Sequence, residues 1–526
     1  MTILYHISLC LYLFVAFLAS PFSRKAALFY RSRRGLIKRI RTEMAEHSDA
    51  EEENSIACNA ITENYADNKE CNEHLLDNEF ADVRDSGVDS TSGTLWIHCA
   101  SVGEFEQARP VIERYRERNP ADKIIVTFFS PSGYELRKNY PLADKVFYLP
   151  MDTARNARRF IDAVKPTAAV FIKYEFWRNY LNVLKQERIP VYLVSGIFRA
   201  DQRFFKWWGG SFRKVLTAFT HFFVQDENSQ ELLNSIGFSN VTISGDTRFD
   251  RVYKIAAESI EVEIVRDFTA DGEVPVIIVG SSWPADEDII SEYYSNLPAA
   301  KFIIAPHEIG SKHLERLSDL FRKERCLKYT EVVNGTTQHN GGVLYNNAAQ
   351  NSYAGKECYS EQDTADSRDI VRDGYTAHED GATMDNPRQN ETTQEIGNMQ
   401  NISGDRRCYE AGNFFLIIDT IGILSSIYKY GSVAYIGGGF GAGIHNVLEA
   451  AVYGIPVVFG PKYQKFKEAH DLVALGGAFS VSDGDEYRTI MDRLLSDEQF
   501  RKESGAICKK YVEDNLGATA KILKQI

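Results

Sequence analysis

Apolar residues in this chain come in short runs that alternate with amphipathic stretches, a pattern typical of parallel strands joined by crossover helices. The clearest unit spans residues 433–461, where an apolar run at 433–436 leads into a loop, residues 437–443, that holds five glycines. We predict a helix from Ile444 through Tyr453 and a second buried strand at 455–459. Such a loop can leave backbone N–H groups and a helix N-terminus free to meet an anion. The unit therefore predicts a nucleotide site.

Two polar residues near the start of that predicted helix support the same interpretation. Asn446 and Glu449 are three apart and share a helix face, so an amide and a carboxylate can bind hydroxyl groups together. The loop is not a dinucleotide fingerprint, because Phe459, Gly460 and Pro461 stand where an acidic residue would end the next strand. His445 and Glu449 have metal-ligand spacing, but no third ligand matches it, so no metal site is predicted.

A first set of apolar runs precedes this unit and predicts a first α/β domain over residues 94–255. Its strand candidates are residues 95–100, 123–129, 167–173, 190–195, 221–225 and 241–244. Amphipathic stretches such as 106–117 and 177–186 lie between them. Parallel strands with right-handed crossovers form a Rossmann-like, doubly wound sheet.

A second set of runs predicts another doubly wound domain over residues 256–526. Its strand candidates are residues 275–280, 301–305, 414–418, 433–436, 456–459 and 478–481, and residues 485–526 are predicted to be helical. The polar interval 334–412 has no hydrophobic period, and we interpret it as a disordered insertion. Two α/β domains imply a cleft between them, with ligands bound outside the carboxyl ends of the strands.

The N-terminus differs from the rest of the chain. Residues 3–20 are almost wholly apolar, and the segment that follows is rich in arginine and lysine. We predict a single uncleaved membrane anchor at residues 1–22, since a cleaved signal would carry its positive charges before the apolar run. Basic residues after the anchor place the remaining chain in the cytoplasm. Residues 23–93 are predicted to form a basic juxtamembrane segment and an acidic flexible tether.

Composition excludes several classes of function. The chain has 526 residues and a formal net charge of −13, which argues against nucleic acid as a partner. Its eight cysteines are scattered without a CxxC pair, so neither a structural zinc site nor a disulfide framework is predicted.

Two glutamates follow buried strands of the first domain. Glu104 and Glu175 each stand where a strand candidate ends and a helix begins, so both are expected at one edge of the sheet. A carboxylate in that position suits a general base that takes a proton from an attacking hydroxyl. The alternative for each is an ordinary helix-capping glutamate, since acidic residues favour first helical turns.

Two cationic features complete the first domain. Arg248 follows its last strand and could meet a leaving phosphate with two parallel hydrogen bonds; the alternative is a surface arginine paired to Asp246 or Asp250. Residues 199–214 mix aromatic and basic side chains, which suits either the headgroup level of a membrane or plain helix packing.

Taken together, the motifs resemble those of the 3-deoxy-D-manno-octulosonic acid (Kdo) transferases of lipopolysaccharide synthesis, which have the two-domain GT-B glycosyltransferase fold. The motifs that carry the resemblance are residues 96–98 with 101–104, 175–179, 419–422, and the glycine loop through 445–449. The resemblance implies two Rossmann-like domains that face a cleft, behind an N-terminal transmembrane anchor helix. It places the acceptor in the first domain and the CMP-sugar in the second.

The resemblance also implies roles for individual residues. The family's catalytic base falls on Glu104, and its transition-state stabilisers fall on Glu175 and Arg248. Its CMP contacts fall on a set in the second domain: Pro306, His307, Ile421, Gly422, Ile423, Asn446, Val447, Leu448 and Glu449. His307 stands where arginine is usual and Ile423 where many members have glutamate, so those two contacts are in doubt unless the backbone makes them.

The implied reaction is an inverting transfer of Kdo from CMP-Kdo to a lipid A precursor, lipid IVA, at the cytoplasmic face of the inner membrane. No cofactor and no metal are expected, and the partners are CMP-Kdo, the lipid acceptor and the bilayer. Two alternatives stay open: another membrane-associated GT-B enzyme with a different nucleotide-sugar donor or acceptor, and a non-catalytic nucleotide-binding scaffold.

Overall fold

The structure is a computed structural model of the whole chain. It describes residues 2–46, 92–270, 272, 274–294, 300–321, 326–334 and 414–526. Most of the predicted tether and of the predicted insertion at 334–412 lie outside the described residues.

The first domain is built on a parallel sheet in which seven strands are described. The strands are β1 (Thr94–Cys99), β2 (Lys123–Phe128), β3 (Lys145–Tyr148), β4 (Ala168–Ile172), β5 (Val191–Gly196), β6 (His221–Val224) and β7 (Val241–Ile243). Their order across the sheet is β3-β2-β1-β4-β5-β6-β7. The strands β2 and β3 follow β1 on one side of the sheet, and β4 to β7 follow on the other side, beginning next to β1. The crevice between the carboxyl ends of β1 and β4 is therefore the switch point where such sheets bind ligands.

Helices cover both faces of this sheet. They are α4 (Val102–Arg118), α5 (Pro131–Arg137), α6 (Ala154–Val164), α7 (Arg178–Gln186), α8 (Gly210–Leu216), α9 (Glu227–Ser235) and α10 (Thr247–Ala257). In β1, Trp96 packs into the core on one face of the sheet while Leu95 and Ile97 pack into the core on the other. Burial on both faces explains why the strands read as continuous apolar runs in the sequence.

The second domain repeats the design with another parallel sheet of seven described strands. The strands are β8 (Val276–Ser282), β9 (Lys301–Pro306), β10 (Cys326–Lys328), β11 (Phe414–Ile417), β12 (Val433–Ile436), β13 (Val457–Phe459) and β14 (Ala478–Ser480). Their order is β10-β11-β9-β8-β12-β13-β14. The switch point lies between β8 and β12, and the glycine loop follows β12 at that crevice.

The helices of the second domain end with one that returns to the first. They are α11 (Glu263–Thr269), α12 (Pro284–Tyr294), α13 (Ser311–Leu320), α14 (Tyr329–Val333), α15 (Leu424–Ile427), α16 (Leu448–Ala451), α17 (Lys467–Leu475), α18 (Gly484–Ser496), α19 (Glu498–Asp514) and α20 (Ala518–Ile522). Ile522 packs into the core of the first domain. Asp250 of α10 accepts hydrogen bonds from the backbone N–H groups of Gly517 (2.6 Å) and Thr519 (2.7 Å) at the start of α20. The chain end thus ties the two domains together.

Among the described residues, three helices precede the first sheet: α1 (Thr2–Ala19), α2 (Arg24–Arg33) and a helix over residues 36–46, which we number α3. Leu36 and Ile40 of α3 are buried in the first domain's core. Within the described part of the chain, no helix combines the length and apolarity needed to cross a membrane. The predicted anchor at residues 1–22 therefore stays a prediction.

Every strand predicted from the apolar runs is present within a residue or two of its predicted bounds. The strands β3 and β10 were not predicted, because each is short and stands at a sheet edge. β10 is also partly exposed throughout, whereas the apolar residues of β3 are buried. The predicted helix from Ile444 through Tyr453 is wrong, since α16 covers only Leu448–Ala451. His445 and Asn446 instead belong to the end of the glycine loop, whose backbone is pinned to Gly437 by the N–H of His445 (3.2 Å).

Candidate functional site

Glu104 and Glu175 lie at the switch point of the first sheet. Glu104 is in the first turn of α4, directly after β1, and Glu175 follows β4, the neighbouring strand. The carboxylate of Glu104 accepts a hydrogen bond from the backbone N–H of Ala100, at the end of β1. The prediction that the two glutamates share one edge of the sheet is confirmed.

Their environment changes the acidity of Glu104. Burial, together with the negative charge of Glu175, raises the pKa of Glu104 to about 7. The hydrogen bond from Ala100 and the positive charge of Lys173 oppose this rise without cancelling it. A carboxylate with a pKa near the working pH can both accept and release a proton, which an ordinary helix-capping glutamate does not do near pH 7.

Glu175 is held by two side chains of the same domain. The indole N–H of Trp177 donates to its carboxylate, and Nε2 of the fully buried His98 lies 3.4 Å from the same oxygen. The other ring nitrogen of His98 lies 2.9 Å from Oγ1 of Thr127 in β2. No role was predicted for His98, although it belongs to the 96–98 motif and is a histidine inside an otherwise apolar buried strand.

Lys173 is a second residue of this region for which no role was predicted. It follows β4, with a left-handed backbone (φ +59°), and is largely buried. Burial and the charge of Arg248 lower its pKa, while Asp246, Glu104 and Glu468 favour its charged form. The charge of Lys173 therefore interacts both with Glu104 and with Arg248. The strand-end rule that identified Glu175 could have found it.

Arg248 is locked between carboxylates of the two domains. Its Nε donates to Asp246 at 2.9 Å, and another guanidinium nitrogen donates to Glu468 of α17 at 3.0 Å. The alternative prediction was a surface arginine paired to Asp246 or Asp250. Asp246 is a partner, but the Arg248 side chain is only 23% exposed and so is not on the surface. Asp250 has a different task, because it caps α20.

The glycine loop after β12 is packed against backbone on both sides. A Cβ on Gly439 would lie 2.6 Å from Gly460, and one on Gly437 would lie 2.2 Å from the carbonyl oxygen of Ser281. The N–H groups of Gly437, Gly438, Gly441 and Gly443 already donate within the protein. The prediction of a freely available row of donors is therefore wrong for these four. An incoming anion would have to use the others.

Asp286 braces the loop from α12. Its buried carboxylate accepts hydrogen bonds from the N–H of Gly438 (2.9 Å), the N–H of Trp283 (2.9 Å) and the hydroxyl of Tyr435 (2.8 Å). Burial raises its pKa. No sequence signal distinguished Asp286 from the other acidic residues of first helical turns.

Three rings stack beside the loop. His307, which follows Pro306 at the end of β9, stacks against both Trp283 and His445, with ring centroids 4.5 Å and 4.6 Å away. The indole N–H of Trp283 donates to Nε2 of His445 at 3.2 Å. Burial, with His307 beside it, lowers the pKa of His445 to about 4, so this imidazole is neutral at pH 7. The stack is an aromatic surface at the carboxyl edge of the second sheet, suited to a planar base.

The remaining predicted CMP contacts lie along the same edge. Ile421, Gly422 and Ile423 form the turn after β11, where the Ile421 side chain is 43% exposed. The predicted shared helix face of Asn446 and Glu449 is wrong, because Asn446 precedes α16; the two side chains are nevertheless neighbours, and the Asn446 amide donates to Glu449 at 3.0 Å. Val447 and Leu448 are buried in the core and can offer only their backbone.

Comparison with known proteins agrees with the motifs. Residues 74–251 match the family model described as 3-deoxy-D-manno-octulosonic-acid transferase (Kdo transferase). A 3-deoxy-D-manno-octulosonic acid transferase of Aquifex aeolicus is 23% identical over 80% of this chain and 93% of its own. The corresponding protein of Bordetella pertussis is 23% identical over 82% of this chain and 86% of its own. The resemblance predicted from the sequence motifs is confirmed.

Other known proteins are also similar to this chain. A bifunctional glycosyltransferase/methyltransferase of Fusobacterium nucleatum is 23% identical over 81% of this chain, which spans 56% of that protein's length. Among solved structures, a UDP-GlcNAc 2-epimerase from Neisseria meningitidis has a TM-score of 0.48 and 13% identity, over 82% of this chain and 98% of its own. The C-terminal CMP-Kdo binding domain of WaaA from Acinetobacter baumannii has a TM-score of 0.30 and 14% identity, over 50% of this chain and 99% of its own.

Proposed function

We propose, on the premise that this chain is a member of the Kdo transferase family, that it transfers Kdo from CMP-Kdo to a hydroxyl group of a lipid A precursor, lipid IVA. The observation that carries the proposal is the pair of glutamates at the first switch point, in which the pKa of Glu104 rises to about 7. A general base of that pKa is suited to activating a hydroxyl at neutral pH.

The transfer step is a direct displacement. Glu104 takes the proton of the acceptor hydroxyl, and the acceptor oxygen forms a bond to the anomeric carbon of Kdo. The bond between that carbon and the phosphate oxygen of CMP breaks, and its electron pair leaves with CMP. A single displacement inverts the anomeric carbon. Glu175, which lies close enough to raise the pKa of Glu104, adds negative charge where the sugar becomes positive.

Arg248 is the proposed partner of the departing phosphate. Asp246 and Glu468 fix its guanidinium at the boundary of the two domains, so no reorientation is needed when charge develops on CMP. Lys173 contributes a second positive charge to the same region. With two cations available, the reaction is proposed to proceed without a metal or cofactor.

The donor is proposed to bind in the second domain, between the glycine loop and the turn after β11. The ring stack that contains His307 offers a surface for the cytosine base, and Asn446 with Glu449 can bind ribose hydroxyls. This assignment keeps a role for His307 where the family usually has arginine, because stacking needs a planar side chain rather than a charge. Ile423 would contribute through its backbone.

The enzyme is further proposed to work at the cytoplasmic face of the inner membrane, held by residues 1–22. Support comes from the apolar N-terminal run followed by basic residues, and from the exposed tryptophans of residues 199–214. The side chain of Trp207 is 93% exposed and that of Trp208 is 46% exposed, beside Lys206 and Arg213. Aromatic and basic side chains together suit the headgroup level of a bilayer.

The test is incubation of the purified full chain with CMP-Kdo and lipid IVA, followed by mass spectrometry of the lipid. We expect the lipid to gain one or more Kdo residues and free CMP to appear. Parallel reactions with UDP-sugars in place of CMP-Kdo examine donor choice. Lipid modified only from a UDP-sugar, or nucleotide bound without turnover of any donor, would refute the proposal.

A further inference from the structure

A cavity separate from both switch points opens where the N-terminal helices meet the first domain. Its volume is about 420 Å³, and it lies between the start of α3 and the segment that leads from β3 into α6. Four cationic side chains line it: Arg33, Lys38, Arg41 and Arg159. Its polar lining also includes Asn156, while Met151 contributes an apolar wall.

The four cations have no acidic counterpart at the cavity. None of them forms an ion pair with a carboxylate within the part of the chain that the structure describes. The acidic residue next to Met151 is Asp152, whose carboxylate accepts hydrogen bonds from the backbone N–H groups of Asn179 (3.0 Å) and Tyr180 (3.1 Å). Four neighbouring positive charges repel one another, so the cavity favours an anion.

Arg33 is held rigidly at this cavity. Its guanidinium donates to the carbonyl oxygens of Phe29 (3.1 Å) and Phe129 (2.6 Å) and lies 3.8 Å from the ring centroid of Phe29. Its Nε is buried and has no hydrogen-bond partner among the described residues. The Arg33 side chain lines the cavity, so its fixed positive charge attracts an anion there.

The backbone at the start of α3 also favours an anion in the cavity. Gly35, at φ +67°, turns the chain so that α3 begins at the cavity wall, where Leu36 and Ile37 belong to its first turn. The first N–H groups of a helix have no partners within the helix and favour a negative charge. Four cations and the start of a helix therefore meet at one cavity.

We infer that this cavity binds a phosphate group, and that the phosphate belongs to a lipid headgroup at the membrane surface. The two helices that precede the cavity in the chain, α1 and α2, favour a lipid source over a free ion. α1 exposes Leu11, Phe14 and Leu18, and its Phe17 packs against Tyr30 of α2 with ring centroids 5.3 Å apart. An apolar surface joined to a cationic pocket matches a lipid with acyl chains and a phosphate. The inference does not depend on the reaction proposed for the switch points.

The experiment compares two charge-matched double variants of the full chain. Arg41→Gln with Arg159→Gln removes two cations from the cavity. Arg39→Gln with Arg155→Gln removes two exposed cations from the same two helices outside it. Co-sedimentation with phosphatidylcholine vesicles, with and without phosphatidic acid, measures lipid binding, and calorimetric titration with inorganic phosphate measures the free ion. Thermal melts check that both variants are folded.

We expect the cavity variant to lose about tenfold more affinity for phosphatidic acid vesicles than the control, because it alone loses direct contacts to phosphate. If the specific loss appears with inorganic phosphate but not with vesicles, the site binds phosphate from solution, and the lipid part of the inference is refuted. Equal losses in both variants would mean general attraction to an anionic surface. That result would overturn the site.

Discussion

A guanidinium nitrogen of Arg248 lies 3.0 Å from a carboxylate oxygen of Glu468, and this contact joins the last helix of the first domain to α17 of the second. Asp246, almost fully buried, holds the same guanidinium from the other side at 2.8 Å. The residue proposed to receive the departing phosphate is therefore also part of the boundary between the domains.

Substitutions of Arg248 should distinguish its proposed contact with the departing phosphate from its contribution to the stability of the domain boundary. Arg248→Lys keeps the charge but cannot contact both carboxylates with a planar fork, so we expect kcat to fall at least about tenfold with the fold retained. Arg248→Ala leaves Asp246 buried without its partner, and the free energy of unfolding should fall by about 3–5 kcal/mol. Steady-state kinetics and urea denaturation measure the two effects. Arg266→Ala, at an exposed pair on α11, is the control. A fully active Arg248→Lys variant would show that the planar guanidinium is not required for the transfer.

Glu104→Gln should abolish most of the transfer while nucleotide binding persists. The amide fills the same space but cannot take the acceptor proton, so kcat is expected to fall by about 10²–10⁴-fold. Glu117→Gln, on the exposed face of the same helix, should leave the rate unchanged. Product formation and CMP affinity are measured on the same preparations. Full activity of Glu104→Gln would contradict the assignment of the base.

The pH profile should report the raised pKa of Glu104. The base works only when deprotonated, so kcat/KM should fall as pH drops through about 7. Glu175→Gln removes a neighbouring negative charge, and the apparent pKa of the remaining activity should move to lower pH. Because the two carboxyl groups interact, the measured value belongs to the pair. A profile in Glu175→Gln that keeps the original midpoint would show that the two groups do not interact.

The raised pKa of Glu104 also predicts that the free energy of unfolding decreases as pH rises, whereas activity increases. The folded protein keeps the Glu104 proton up to about pH 7, whereas the unfolded chain releases it near its ordinary value of 4.5. This group's contribution to stability is therefore present below pH 4.5 and is lost as pH rises to 7. Glu104→Gln should be more stable than the original protein at pH 8, by up to about 3 kcal/mol, and not at pH 4. Denaturation at both pH values tests this.

Two glycines of the loop after β12 should respond differently to alanine. A Cβ on Gly439 would lie 2.6 Å from the backbone of Gly460, whereas one on Gly441 would have its nearest neighbour at 3.6 Å. We expect Gly439→Ala to lower the free energy of unfolding by about 1–3 kcal/mol and to weaken CMP binding, and Gly441→Ala to do neither. Equal behaviour of the two variants would mean that the loop relaxes and that the close approach to Gly460 is not needed.

Much of the architecture follows from local pattern. Twelve of the fourteen described strands, all except β3 and β10, were recognisable because strands buried on both faces need apolar residues at successive positions. Strand ends could be read in the same way, and parallel strands align their carboxyl ends. That is why Glu104 and Glu175 were expected together before any contact was known. The family motifs then added roles that spacing alone could not supply.

Tertiary structure decided what those residues experience. The pKa of Glu104 depends on burial and on the charge of Glu175, which a separate strand brings beside it. The position of the Arg248 guanidinium depends on its contact with Glu468 of the other domain. The cationic cavity forms only because α3 and α6 lie next to each other in the folded chain. The glycine loop looked like an open row of donors, but hydrogen bonds to Asp286 and to backbone carbonyl oxygens already use four of its N–H groups. Hydrophobic periodicity is a local property of the chain, whereas acidity, ion pairing and donor availability depend on neighbours distant in sequence, so only the folded molecule determines them.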